Sequence, residues 1–120
     1  MTRTGAPAIF VDTIAPTVPL LDTHLQTIEL LRDPSHVRNY GIDQWASALT
    51  RAGFTLSRIT THELPLAFGP WIERMQTPEV HIAAIRSLQQ SASDTVQRGL
   101  NIRDDGGFTI TVGSFEVIAA

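Results

Sequence analysis

Three segments of the chain have the residue pattern of β-strands, and the other patterned segments are helical. The first, from Ala8 to Val11, is an apolar run without alternation, which is typical of a strand buried on both faces. The second starts at Phe54 and reaches about His62, and the third covers residues 108–118 with apolar and polar positions in alternation. The order of the segments predicts an α/β fold on a sheet of only three strands, with about five helices.

The helical segments have clear boundaries. Their predicted bounds are 20–32, 42–52, 68–75, a segment that begins at 77, and 93–100. The second carries apolar residues at i, i+3 and i+7 (Ile42, Trp45 and Leu49), and Gly53 follows where a left-handed residue ends a helix. For the fourth we expect Thr77 as N-cap with Pro78 in the first helical position. We interpret residues 1–120 as a single domain with a helical insertion at about 67–100.

Composition excludes several classes of function. The chain is 42% hydrophobic and 18% charged with a formal net charge of -3, so it has no electrostatic footprint for nucleic acid. It contains no cysteine, which removes thiol nucleophiles and thiolate metal sites. His24, His62 and His81 have no partners at metal-ligand spacing, so no metal site is expected. Apolar runs are short, which predicts no membrane contact and a cytoplasmic protein.

Four sequence motifs point to a known family. They are V-D-T-I-A-P at 11–16, R-D-P-S-H-V-R-N-Y at 32–40, the helix exit ending in A-G-F at 52–54, and F-G-P-W-I-E-R-M at 68–75. Over about residues 8–119, the chain resembles the C-terminal half of class I S-adenosylmethionine-dependent methyltransferases, of the ubiquinone/menaquinone-biosynthesis type. The resemblance implies a truncated Rossmann-like fold in which the three strands correspond to family strands 5, 7 and 6, the last antiparallel.

One part of the family pattern is missing. Its cofactor site uses a glycine-rich turn after the first strand and an acidic residue after the second. This sequence has no G-x-G, and nothing in it resembles the first four strands. We therefore expect no cofactor-binding residues and no cofactor bound by this chain alone, with S-adenosylmethionine bound only if the missing half is supplied. The isolated chain is expected to be inactive as a methyltransferase.

The resemblance also implies a set of site residues. His36 is the candidate catalytic residue, because an imidazole can deprotonate an acceptor hydroxyl near neutral pH. The candidate substrate-binding residues are Asp12, Arg32, Ser35, Arg38, Tyr40, Trp71 and Arg74. Structural alternatives stay open: a histidine bonded to neighbouring backbone, arginines paired with Asp33, an aspartate that caps a turn, and a tryptophan on a core face.

The missing half would leave the first strand as an open apolar edge. We expect a homodimer in which two copies of the segment from Ala8 to Val11 pair antiparallel and form a six-stranded sheet. A chain that carries the missing half is the alternative partner. Three functions follow: a non-catalytic methyltransferase-like binding module, one half of a split methyltransferase, or a dimeric interaction module without a ligand.

Overall fold

The computed structural model describes residues 5–119. The strands form one sheet in the order β1-β3-β2, and together with five helices they confirm the predicted α/β fold with three strands and about five helices. The elements are β1 (Pro7–Ile14), α1 (Pro19–Arg32), α2 (Ile42–Arg51), β2 (Phe54–Leu66), α3 (Phe68–Glu73), α4 (Glu79–Gln90), α5 (Asp94–Gly99) and β3 (Phe108–Ala119). The chain divides into two compact units: a first unit of residues 5–15, 39–63 and 111–119, and a second unit of residues 16–38 and 64–110.

In the first unit, β1 and β3 form an antiparallel pair. Phe10 lies opposite Phe115 and Ala8 opposite Val117, and opposed residues share one face of a sheet. That face packs against α2, where Trp45 stacks on Phe115 with 5.5 Å between ring centroids. The result is a core in which Phe115 and Val117 are almost completely buried.

The boundaries of α2 follow from its caps. The backbone N–H of Gly41 donates to Gln44 Oε1 over 2.9 Å, which satisfies a donor at the helix N-terminus. At the other end Gly53 has a φ of +93°, which confirms the predicted left-handed residue. The helix therefore starts and ends where its sequence signals indicate.

The interpretation of β1 as a strand buried on both faces is wrong. Ile9 is 64% exposed and Val11 is 61% exposed, while Phe10 between them packs into the core cluster. The strand thus buries alternate residues, because helix α2 covers one face of the β1–β3 pair and no described residue buries Ile9 or Val11 on the other. These apolar side chains form an exposed stripe along β1.

The predicted end of the second strand is also corrected. The strand continues through Pro65 to Leu66, because β2 is at an edge of the described sheet. A proline lacks the N–H donor, and an edge strand needs no donor on its outward side. Pro65 is therefore compatible with a strand that the sequence prediction ended too early.

In the second unit, α1 packs against α4 and α5. Leu25 and Ile28 of α1 are 1% exposed, and Ile85 of α4 is fully buried. Gly99 at the end of α5 lies so close to α1 that a Cβ atom there would come within 2.3 Å of Leu21 Cδ2. The helices of this unit therefore make a well-packed core with one close approach that only glycine permits.

Two predicted helix starts have different outcomes. Helix α5 begins as predicted, with the Ser93 hydroxyl accepting from the Val96 N–H. Helix α4 differs, because Pro78 and not Thr77 is its N-cap. Thr77 is buried and donates its hydroxyl to the carbonyls of Arg32 and Ile72, at 3.0 and 3.1 Å. The hydroxyl thus joins the ends of α1 and α3 and does not cap α4.

Candidate functional site

The loop after α1 is folded by an aspartate turn. The Asp33 carboxylate accepts from the Ser35 N–H at 3.0 Å and from the Ser35 hydroxyl at 2.7 Å. These hydrogen bonds to Ser35, the hydroxyl first, lower the pKa of Asp33 because they favour the ionised carboxylate. The His36 N–H donates to the Asp33 carbonyl over 2.9 Å, which continues the turn. Ser35 therefore shapes the loop through Asp33, and the turn brings His36 back towards α1.

The side chain of His36 contacts α1 and does not bond to neighbouring backbone. Its Nε2 lies 2.9 Å from Gln26 Oε1 and 3.4 Å from Glu29 Oε2. The His36 and Glu29 side chains are 15% and 10% exposed. The imidazole and the carboxylate are therefore held beside each other at a largely buried position.

Arg38 extends the same set of contacts. Its guanidinium forms an ion pair with the carboxylate of Asp22, and the other oxygen of Asp22 accepts from Gln26 Nε2 at 3.0 Å. We call the side chains of Arg38, Asp22, Gln26, His36 and Glu29 the polar string. It links the predicted residues Arg38 and His36 through Asp22 and Gln26 of α1, and Glu29 of the same helix also contacts His36.

Arg32 lies against Trp71. Its guanidinium carbon is 4.8 Å from the centroid of the Trp71 ring, and Nη1 donates to the Trp71 carbonyl over 3.2 Å. Burial lowers the pKa of Arg32; the charge of Glu29 opposes this shift, and that of Arg74 adds to it. The buried Nε of Arg32 has no hydrogen-bond partner among the described residues. The guanidinium therefore makes a cation–π contact and keeps one donor unused.

Trp71 belongs to the core of the second unit. It is 3% exposed and meets Phe108 edge to face at 4.9 Å between centroids. Arg74, one turn further on, is exposed. A ligand in this region would thus contact the guanidinium groups of Arg32 and Arg74. The Trp71 ring would pack against one face of the Arg32 guanidinium.

Asp12 and Tyr40 belong to the first unit. The Asp12 carboxylate accepts from the Thr13 N–H over 2.8 Å, but Asp12 lies inside β1, opposite Gly113, so it caps no turn. Tyr40 is 42% exposed and packs edge to face on Trp45 at 5.7 Å. It also borders an open cleft of about 420 Å³, whose other lining residues are Asp43, Gln44, Ser47 and Arg51 of α2. No motif marks this cleft in the sequence.

The structure brings six predicted residues into the second unit: Arg32, Ser35, His36, Arg38, Trp71 and Arg74. Sequence reasoning missed Asp22, Gln26 and Glu29. Their spacing of i, i+4 and i+7 places them on one face of α1 and is the signal that could have found them. Among residues 5–119 no group of three His, Asp or Glu side chains could hold a metal ion, and no helix is long and apolar enough to cross a membrane.

Comparison with known proteins supports a methyltransferase-like chain. No protein-family model matches the sequence. It is 42% identical over 107 residues to the uncharacterized protein YafE of Escherichia coli, a match that covers 89% of this chain and 52% of YafE. It is 33% identical over 86 residues to the uncharacterized methyltransferase YcgJ of Bacillus subtilis, covering 72% of this chain and 34% of that protein.

Superposition on solved structures also indicates a methyltransferase-like fold. The crystal structure of YcgJ superposes with a TM-score of 0.86 at 25% identity, over 98% of this chain and 52% of that chain. A putative methyltransferase from Bacillus halodurans superposes with a TM-score of 0.87 at 21% identity, over 97% of this chain and 56% of the other. The chain therefore has an α/β methyltransferase-like fold. It is homologous to YcgJ. It spans about half the length of YafE and, by superposition, about half of the YcgJ chain, while its sequence match covers about a third of YcgJ.

Proposed function

We propose that this chain is the substrate-side half of an S-adenosylmethionine-dependent small-molecule methyltransferase, and that it is inactive without a cofactor-binding half. The observation that supports this most directly is the unequal coverage of the match to YcgJ. Almost all of this chain, 98%, aligns with only 52% of the YcgJ structure. The other part of such a fold would then supply what this chain lacks.

The turn at Gly106 and Gly107 does not have the open shape of an S-adenosylmethionine site. A dinucleotide-type cofactor site needs glycines whose missing side chains leave room for the ligand. At Gly106 and Gly107 that room is filled by the chain itself: a Cβ would meet Phe68 and Arg86 at 2.9 Å, and Arg103 at 2.6 Å. This turn is closed by side chains and offers no cradle, so we derive no step that passes through the cofactor.

The strand order is compatible with this proposal. If β1, β3 and β2 correspond to family strands 5, 7 and 6, the next strand of a complete fold would pair with the free edge of β1. The exposed stripe of Ile9 and Val11 lies on this strand. Apolar side chains exposed to this extent side by side are typical of a surface that another segment covers.

The substrate would be held in the second unit. His36 would accept a hydrogen bond or a proton from the acceptor hydroxyl, and Arg32 and Arg74 would attract an anionic group. The resemblance to ubiquinone and menaquinone methyltransferases suggests an aromatic or quinol-like acceptor. Such an acceptor has the weakly acidic hydroxyl that a histidine base requires.

Calorimetric titration of S-adenosylmethionine into the purified chain tests this proposal. We expect no binding by the chain alone. Co-expression with the part of YafE that lies outside the matched region should produce a complex that binds the cofactor. Binding to the isolated chain would contradict the proposal, as would a complex that forms but does not bind S-adenosylmethionine.

The open edge of β1 in the described sheet favours one other role, a homodimeric binding module. In this alternative the β1 strands of two copies pair antiparallel and form a six-stranded sheet. The interface is then the same surface on both copies, as a two-fold axis requires. Light scattering distinguishes the states, because a monodisperse monomer at micromolar concentration would contradict the dimer.

A further inference from the structure

The hydrogen bonds of the polar string have a fixed direction, which begins at Arg38. A guanidinium group can only donate, and an ionised carboxylate can only accept. The contact between Arg38 and Asp22 therefore runs from the arginine to the aspartate. With one oxygen held by Arg38, the other oxygen of Asp22 accepts from Gln26.

The contact with Asp22 also fixes which end of the Gln26 amide faces His36. Its side-chain nitrogen and oxygen could exchange places, but only the NH₂ group can donate to the Asp22 carboxylate 3.0 Å away. The opposite orientation would place two acceptors against each other. The amide oxygen of Gln26 must therefore face His36, where it lies 2.9 Å from Nε2.

His36 Nε2 thus faces two acceptors. The Gln26 oxygen accepts only, and Glu29 Oε2 lies 3.4 Å from the same ring nitrogen. A neutral imidazole carries one hydrogen, and it takes the position where acceptors are present. The hydrogen of the neutral ring is consequently held on Nε2.

We infer that Gln26 and Glu29 fix His36 as the Nε2–H tautomer, so that Nδ1 is the ring nitrogen available to a ligand. Nδ1 makes no hydrogen bond to the part of the chain that the structure describes. A ligand hydroxyl can donate to this lone pair. In a full transfer the O–H bond breaks, its electron pair stays on oxygen, and an Nδ1–H bond forms. Gln26 and Glu29 are then positioning residues, and the class of ligand rests on the proposed function.

Nitrogen NMR of the imidazole rings tests the tautomer directly. We expect a protonated, pyrrole-like Nε2 and an unprotonated, pyridine-like Nδ1 for neutral His36, with the signals assigned through the His36→Gln protein. His81 gives an internal comparison, since its Nδ1 lies 2.9 Å from the Leu31 carbonyl and must carry the hydrogen. One spectrum should therefore contain both tautomers.

Substitutions then show whether the neighbours hold the tautomer. In the Gln26→Leu, Glu29→Gln double variant, the two His36 nitrogen shifts should move towards each other as the tautomers mix. An unchanged His81 signal reports that α1 and α4 remain packed. Glu73→Gln is the matched control, because it removes an exposed carboxylate of the same unit and should shift neither signal. A protonated Nδ1 in the unmodified protein, or no change in the double variant, would overturn the inference.

Diethyl pyrocarbonate tests whether Nδ1 is accessible. The unprotonated Nδ1 forms a bond to a carbonyl carbon of the reagent, and the bond from that carbon to the ethyl carbonate oxygen breaks. The ring loses its Nε2 proton, and ethyl carbonate takes up a proton and decomposes to ethanol and carbon dioxide. Trypsin releases residues 33–38, in which His36 is the only histidine, so mass spectrometry reads the adduct directly. An unmodified peptide would refute accessibility. Neither readout needs the cofactor. S-adenosylmethionine binding by the isolated chain, or a completed complex that does not bind it, would therefore reject the proposed function and leave the tautomer standing.

Discussion

Lowering the pH should destabilise the protein through His24. Its Nε2 is buried and has no hydrogen-bond partner within residues 5–119, and desolvation lowers the pKa of this histidine below 6.5. The unfolded chain then binds a proton that the folded chain excludes. Stability is complete above the unfolded pKa, and it falls as the pH decreases from about 6.5 towards the folded pKa.

The size of the effect follows from proton linkage. One excluded proton gives a slope of at most about 1.4 kcal/mol per pH unit. Because the unfolded group titrates near 6.5, lowering the pH from about 7.5 to about 5.5 removes up to roughly 1.4 kcal/mol from the free energy of unfolding. Urea unfolding followed by circular dichroism at both pH values measures this difference.

Two variants make the test specific to His24. His24→Leu removes the titrating group and should abolish this part of the pH dependence. His62→Gln removes an exposed histidine and should leave the dependence unchanged. The reasoning is refuted if the leucine variant loses as much stability as the unmodified protein over the same range.

Three further predictions concern packing and assembly. If β1 strands pair in a homodimer, Ile9→Lys should halve the mass measured by light scattering, whereas Val80→Lys, at a 71% exposed position, should not. Ile85→Ala should lower the free energy of unfolding by about 2–5 kcal/mol in urea titrations, because it leaves a cavity at a fully buried site, and Val80→Ala should change it by less than about 0.5 kcal/mol. Gly99→Ala should cost about 1–3 kcal/mol through the contact with Leu21, and adding Leu21→Ala should remove that coupling in a double-mutant cycle; strictly additive effects would contradict the close approach.

Local signals were sufficient to predict the order and the type of the elements. The second helix is the best example, since its apolar spacing and Gly53 predict both its packed face and its end. The strand from Ala8 to Val11 shows the limit of such signals. An apolar run predicts a strand, but which of its faces are covered depends on what lies beside it, and here Ile9 and Val11 are exposed.

The candidate site was predicted only in part, for a physical reason. His36 and Arg38 are recognisable in the sequence, but their partners on α1 are brought to them by the turn at Asp33 and Ser35. That turn reverses the direction of the chain and places His36 and Arg38 against α1. Helical periodicity does not predict which residues such a reversal brings together. Thr77 is a similar case. Its hydroxyl was expected to cap α4, but it donates to the carbonyl of Arg32 at the end of α1, which is far away in the sequence.

The two tryptophans of the chain are distributed between its two compact units. Trp45 stacks on Phe115 in the first, and Trp71 is buried against Phe108 in the second. Each unit therefore contains its own intrinsic fluorophore. Emission from a Trp45→Phe protein would follow the second unit alone, and emission from a Trp71→Phe protein the first. Coincident unfolding curves would mean that the chain melts as one cooperative body, and separated curves would give each unit its own stability.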